Sequence, residues 1–290
     1  MRFKRLNKFK ADPILKPLPM VLGLVVFLII IYYITTIFIS LYDILELKSY
    51  NLLSPLTSIF IHDLDDQGVH ILSNIQSLFL IGYIASIQSS WKKMLIVFIL
   101  GGFLTNLSVI FLVWLLNTTL TSRYDDWANS QGIIVHEKIQ LFGLSGGGAS
   151  DAIMGLLGFS LAISSSFMIL LIAKIIRNIL SSEFSDIPQL IWTNRYFIIL
   201  NLAIIFFGTL IFLERFIADL EMFSYSLTYL YAFGGRTGIE FPQSRGNLIL
   251  AHVIGTVIGY NLGLWHLVFY NDRVSQLLKL KSYTQETIRE

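Results

Sequence analysis

Six apolar stretches, most of them close to or longer than the roughly 20 residues a helix needs to cross a bilayer, limit what this 290-residue chain can become. They fall at about 19–41, 69–89, 94–116, 150–174, 196–213 and 247–269. Lipid offers no hydrogen-bond partner to a bare backbone, so such stretches span as helices that satisfy their own peptide groups. With 54% hydrophobic and 14% charged residues, the composition departs from that of a soluble domain. An all-α integral membrane protein built as a six-helix bundle is the expectation. A basic segment 1–18 precedes the membrane domain 19–269, and a polar tail 270–290 follows it.

The basic start could introduce a secretory signal, but the first apolar run is too long for one and no small-residue cleavage site follows. It reads as a retained first span. An even number of spans puts both ends on one side. Most of the 21 Lys and Arg lie in the two ends, at Lys92 and Lys93, and around Lys174, Arg177 and Arg195. The excess of positive residues places that side, and both termini, in the cytoplasm, and a prokaryotic cell membrane is the expected location. The net charge of +2 gives no reason to expect nucleic acid as a partner. Without a single cysteine, disulfides and thiolate chemistry are excluded.

This topology brings four polar residues to the outer end of the bundle. His70 and Asn74 begin span two, Ser150 begins span four after the glycine-rich run GLSGGGAS (143–150), and His252 lies near the top of span six. A serine hydroxyl needs a base to become a nucleophile, and the resulting oxyanion needs donors placed in advance. His252 is the candidate base. His70 and Asn74, one helical turn apart, offer donors beside the backbone N–H of Ser150, and the positive end of the fourth helix points the same way.

Glycine spacing supplies a way to bring serine and histidine together. Gly255, Gly259 and Gly263 share the helix face of His252, while Gly155, Gly158 and Ala162 form a stripe beside Ser150. Small residues at this interval allow two membrane helices to approach closely.

These motifs resemble those of the rhomboid intramembrane serine proteases, over about 55–265 and in the family's span order. LTSIFIH (56–62) is similar to the first-loop segment, HILSN (70–74) to the His-x-x-x-Asn motif, GASDAIMGLLG (148–158) to the nucleophile motif and AHVIGTVIG (251–259) to the histidine motif. The resemblance implies Ser150 as nucleophile, His252 as base, and Asn74 and His70 as oxyanion partners. It implies membrane-anchored protein substrates met in the lipid bilayer, a dyad without a third carboxylate, and neither metal nor organic cofactor. It also implies that the fifth span and its cap govern lateral entry of substrate.

Three departures stand out. Asp151 occupies the place of a common glycine, Ser54 and Pro55 stand where a Trp-Arg pair is frequent, and His62 lies further from His70 than usual. Ser145 in Gly143-Leu144-Ser145-Gly146 offers a literal motif match, but a glycine run that propagates helix poorly follows it, which favours Ser150. Asp151 falls on the stripe facing span six and could orient His252; the plainer reading is a carboxylate stabilised at a helix N-terminus. His136 and Glu137 lack a second histidine at metal-ligand spacing. Tyr225, Tyr229, Tyr231 and Phe233 are expected in a long connection with aromatics at the interface. Two non-enzymatic readings stand beside the protease: a rhomboid-like pseudoprotease that escorts membrane clients, and a transporter, against which the absence of repeats and midplane charges argues.

Overall fold

A computed structural model describes residues 16–48, 53–62, 68–130, 149–182, 184–233 and 250–270. Among these residues the chain is helical, with no strand. The elements are α1 (Leu18–Ile37), α2 (Ile39–Leu45), α3 (Ser54–Thr57), α4 (Val69–Ser77), α5 (Tyr83–Gln88), α6 (Trp91–Ser130), α7 (Ser150–Leu180), α8 (Asp186–Phe233) and α9 (Ala251–Tyr270). A single π-helical turn, Leu78–Gly82, joins α4 to α5 into one continuous rod. Five helical stretches are long and apolar enough to cross a membrane: Leu18–Ile37, Val69–Gln88, Trp91–Leu116, Ser150–Leu180 and Asp186–Glu221. The protein thus has the makings of a multi-pass membrane protein, and α9 packs among these helices.

The element boundaries differ from the apolar stretches in an instructive way. The first helix ends at Ile37, where Phe38 leaves helical geometry, and α2 continues separately. Helix α6 runs on through the polar residues after 116 to Ser130. Helix α8 starts ten residues before the apolar stretch at 196, with Pro188 in its first turn, where a missing N–H costs nothing. It then continues to Phe233, so the expected long connection holding Tyr225, Tyr229, Tyr231 and Phe233 begins as helix. Neither 117–130 nor 209–233 contains a glycine or proline. Polarity ends a membrane crossing, but nothing in these residues ends a helix.

Helix α7 forms the centre. Every residue from Asp151 to Ser160 is buried, as expected of a helix enclosed by others rather than bordering solvent or lipid. Its most extensive contact is with α9, followed by α6 and α8. Leu78, Ile81 and Ala85 from the second rod, Met94 and Phe98 from α6, and Val21 and Leu28 from α1 close the apolar core around Ala152, Leu156 and Phe159. Helix α7 has 31 residues, about 46 Å, against a hydrocarbon thickness of about 30 Å. Lys174 and Arg177 therefore sit on a helix that outruns the apolar layer.

Helix α8 is the outlier. Only 17% of its apolar window is buried, and Trp192, Ile199, Phe206, Phe207 and Leu210 are exposed along it. Such a surface suits lipid.

The first-loop segment is held from below. Asn106 of α6, buried, donates through Nδ2 to the Pro55 carbonyl (2.9 Å) and to Ser58 Oγ (3.0 Å), and Phe60 packs edge-on to Phe27. This fixes His62, fully buried, with its ring edge-on to His70 at 5.9 Å. Among the described residues neither ring nitrogen of His62 has a hydrogen-bond partner. Burial, with His70 alongside, pushes the His62 imidazole down to about 3. Below the ordinary histidine value of 6.5 the unfolded chain gains a proton here that the folded chain refuses, so stability is intact above 6.5 and falls as pH drops toward 3. Between pH 6.5 and 5 the expected loss is about 2 kcal/mol. Thermal unfolding in detergent at pH 7 and pH 5 checks this: His62→Phe should flatten the decline, and an equally steep decline in the variant would refute it.

Candidate active site

The site forms where the first turns of α7 and α9 cross. A methyl group added at Gly255 would stand 2.6 Å from the Asp151 carbonyl oxygen. At Gly158 it would collide with the Thr256 carbonyl, and at Gly259 with the Gly155 carbonyl. At Gly263 it would lie 2.6 Å from Ala162 Cβ and 2.8 Å from the Phe159 carbonyl. Both glycine stripes therefore lie on this crossing, with backbone against backbone. Gly155 additionally faces Gly101 of α6, whose Cα would be 3.6 Å from an added methyl. Van der Waals packing of this kind is what holds helices together in lipid.

The crossing starts at the tips of both helices, so it brings Ser150 and Asp151, the first two residues of α7, beside His252, the second residue of α9. The Ser150 side chain lies near enough to the Asp151 carboxyl to act on it, and that carboxyl is buried. His252 is held differently. Its Nδ1 lies 2.7 Å from Asp219 Oδ1 on α8, and Asp219 Oδ2 accepts the Val253 N–H at 3.4 Å. Asp219 is 8% exposed. Asp151, Asp219 and Arg215 all lie within electrostatic reach of His252. Among the described residues no hydrogen bond joins Ser150 directly to His252, whose bonded partner is Asp219.

Local backbone geometry sets the position of His252. Leu250 adopts the left-handed conformation, φ +56°, which costs a residue with a side chain roughly 1–2 kcal/mol. Its carbonyl accepts the Ile254 N–H at 2.9 Å. This strained turn fixes where α9 begins.

Helix α4 packs against α7. Asn74 lies on the buried face of α4 with Ile71, and among the described residues its amide Nδ2 has no partner. His70, one turn above, is half-buried beside His62. A buried, unused amide donor in a pre-formed helix is what an oxyanion site requires.

Ser145, His136 and Glu137 lie outside the described residues. Asp151 does not take the orienting position that its helix face suggests: the partner of His252 Nδ1 is Asp219. Sequence reasoning missed Asp219 because it assigned 214–246 to a connection. The available signal was the run FIADLEM (216–222), where Asp219 and Glu221 sit among apolar residues on a stretch free of glycine and proline. Among the described residues no group of three or more His, Asp or Glu is placed to hold a metal ion.

Comparison with protein-family models, with curated proteins and with solved structures finds no match to this chain. Fold and site together define a helical membrane protein with a serine and a carboxylate-held histidine at one glycine-lined helix crossing.

Proposed function

We propose that the protein is an intramembrane serine endopeptidase of the rhomboid type, with α9 as the sixth span and both termini in the cytoplasm of a prokaryotic cell. Its substrates are membrane-anchored proteins, cut in or near their transmembrane segment. The observation that carries the reading is the pairing of His252 with a buried carboxylate at the crossing that also holds Ser150. In the reaction, Ser150 Oγ attacks the scissile carbonyl carbon as His252 Nε2 takes its proton. The oxyanion is met by Asn74, His70 and the Ser150 backbone N–H. The C–N bond breaks, His252 returns the proton to the leaving amine, and water, activated by the same histidine, releases the acyl group.

For this step the Ser150 hydroxyl has to turn from Asp151 to face His252 Nε2. The pairing of Ser150 with Asp151 also favours a second reading, a rhomboid-like pseudoprotease that binds or escorts membrane clients. Purified protein incubated with transmembrane model substrates and with a serine-reactive phosphonate separates the two. Cleavage and labelling in the parent and in Ser145→Ala, both lost in Ser150→Ala, are expected. A folded parent that neither cleaves nor labels would support the scaffold instead.

A further inference from the structure

We propose that Asp219 is the positioning residue for His252, turning a serine–histidine dyad into a three-membered relay whose third member stands on α8. The inference rests on the proposed protease reading and deepens it. Asp219 would touch neither substrate nor the reacting atoms; it acts through the imidazole.

The geometry is that of a two-point clamp. One carboxylate oxygen lies 2.7 Å from His252 Nδ1, and the other accepts the backbone N–H of Val253. The first N–H groups of a helix have no partner within it, so Asp219 also satisfies a donor at the start of α9. Ring and helix start are thereby fixed by one side chain. With Nδ1–H donated to a carboxylate, the neutral imidazole must carry its lone pair on Nε2. That is the nitrogen left to receive a serine proton, and the carboxylate then stabilises the imidazolium formed. Burial of Asp219 strengthens the effect, because water does not screen the pair.

Asp151 does not duplicate this role. It follows Ser150 directly, its carboxyl meets the serine hydroxyl, and it reaches His252 only through space.

The test is Asp219→Asn in full-length protein in detergent or lipid. Asparagine keeps the shape and can still accept the Val253 N–H, but its NH2 can face Nδ1 and select the wrong tautomer. The expected result is a kcat roughly 100- to 10,000-fold lower with KM little changed. A far-downfield imidazole proton resonance should be present in the parent and in Asp151→Asn, and absent in Asp219→Asn. Asp219→Ala, compared with the parent by thermal unfolding, separates loss of fold from loss of rate. Unchanged kcat in folded Asp219→Asn, with the parent active, would overturn the inference and leave the protease reading standing. A parent that neither cleaves nor labels with phosphonate would overturn both, whatever the resonance shows.

Discussion

His252→Ala is expected to lower kcat by roughly four to six orders of magnitude while leaving the helical bundle folded. The reason for so large an effect is that the serine has no second base. Asp151 is already close to the hydroxyl, but a carboxylate is too weak a base at neutral pH to substitute for imidazole and cannot pass a proton efficiently to a leaving amine. The fold should survive, because His252 is 24% exposed and its contribution to packing is small beside that of the glycine crossing below it. The diagnostic feature is non-additivity. Ser150→Ala with His252→Ala should be no slower than either single variant, since residues acting as one unit are lost together. Single-turnover cleavage of a membrane-anchored substrate measures this, and a double variant much slower than both singles would mean that the two act independently.

Gly259→Ala is expected to cost at least about 3 kcal/mol of stability, or to prevent folding. The added methyl would collide with the Gly155 carbonyl and stand 2.7 Å from Gly155 Cα. A side chain can rotate away from such a contact, whereas a helix backbone can only move as a body. Helices α7 and α9 would have to separate along their whole contact, the most extensive in the molecule. Gly23→Ala in α1 is the matched control: nothing lies within 4 Å of the added methyl, and a change within about 0.5 kcal/mol is expected. Thermal unfolding of the two variants in the same detergent compares them directly. Equal stabilities would show that the crossing tolerates separation.

How far residues alone reveal this molecule depends on which physical signal each feature leaves. The apolar runs mark the membrane helices because hydropathy and span length are linked directly. The glycine stripes mark the crossing of α7 and α9, since few other roles need Gly255, Gly259 and Gly263 at that interval. Ser150, His70, Asn74 and His252 stand out as candidates because the topology expected from charge and hydropathy gives them a common end. What stayed hidden was the reach of α6 and α8 beyond their apolar portions. Hydropathy records where lipid ends, and helix continues wherever no residue breaks it. Asp219 fell into that gap. Its partner lies 33 positions away on another helix, and no periodicity along one helix can indicate such a pairing.

The slight burial of α8 has a consequence for the order of events. A carboxylate-to-imidazole bond of 2.7 Å cannot survive even a small separation of the helices that carry its two ends. Of the helices assigned to the membrane, the one that carries Asp219 is the least anchored in the protein interior. If α8 swings aside to admit a transmembrane segment, the histidine is disarmed for as long as the way in stands open. On the proposed protease reading, peptide-bond attack would then wait for α8 to return, and the protein would carry an interlock: the motion that lets a guest in would also switch the blade off.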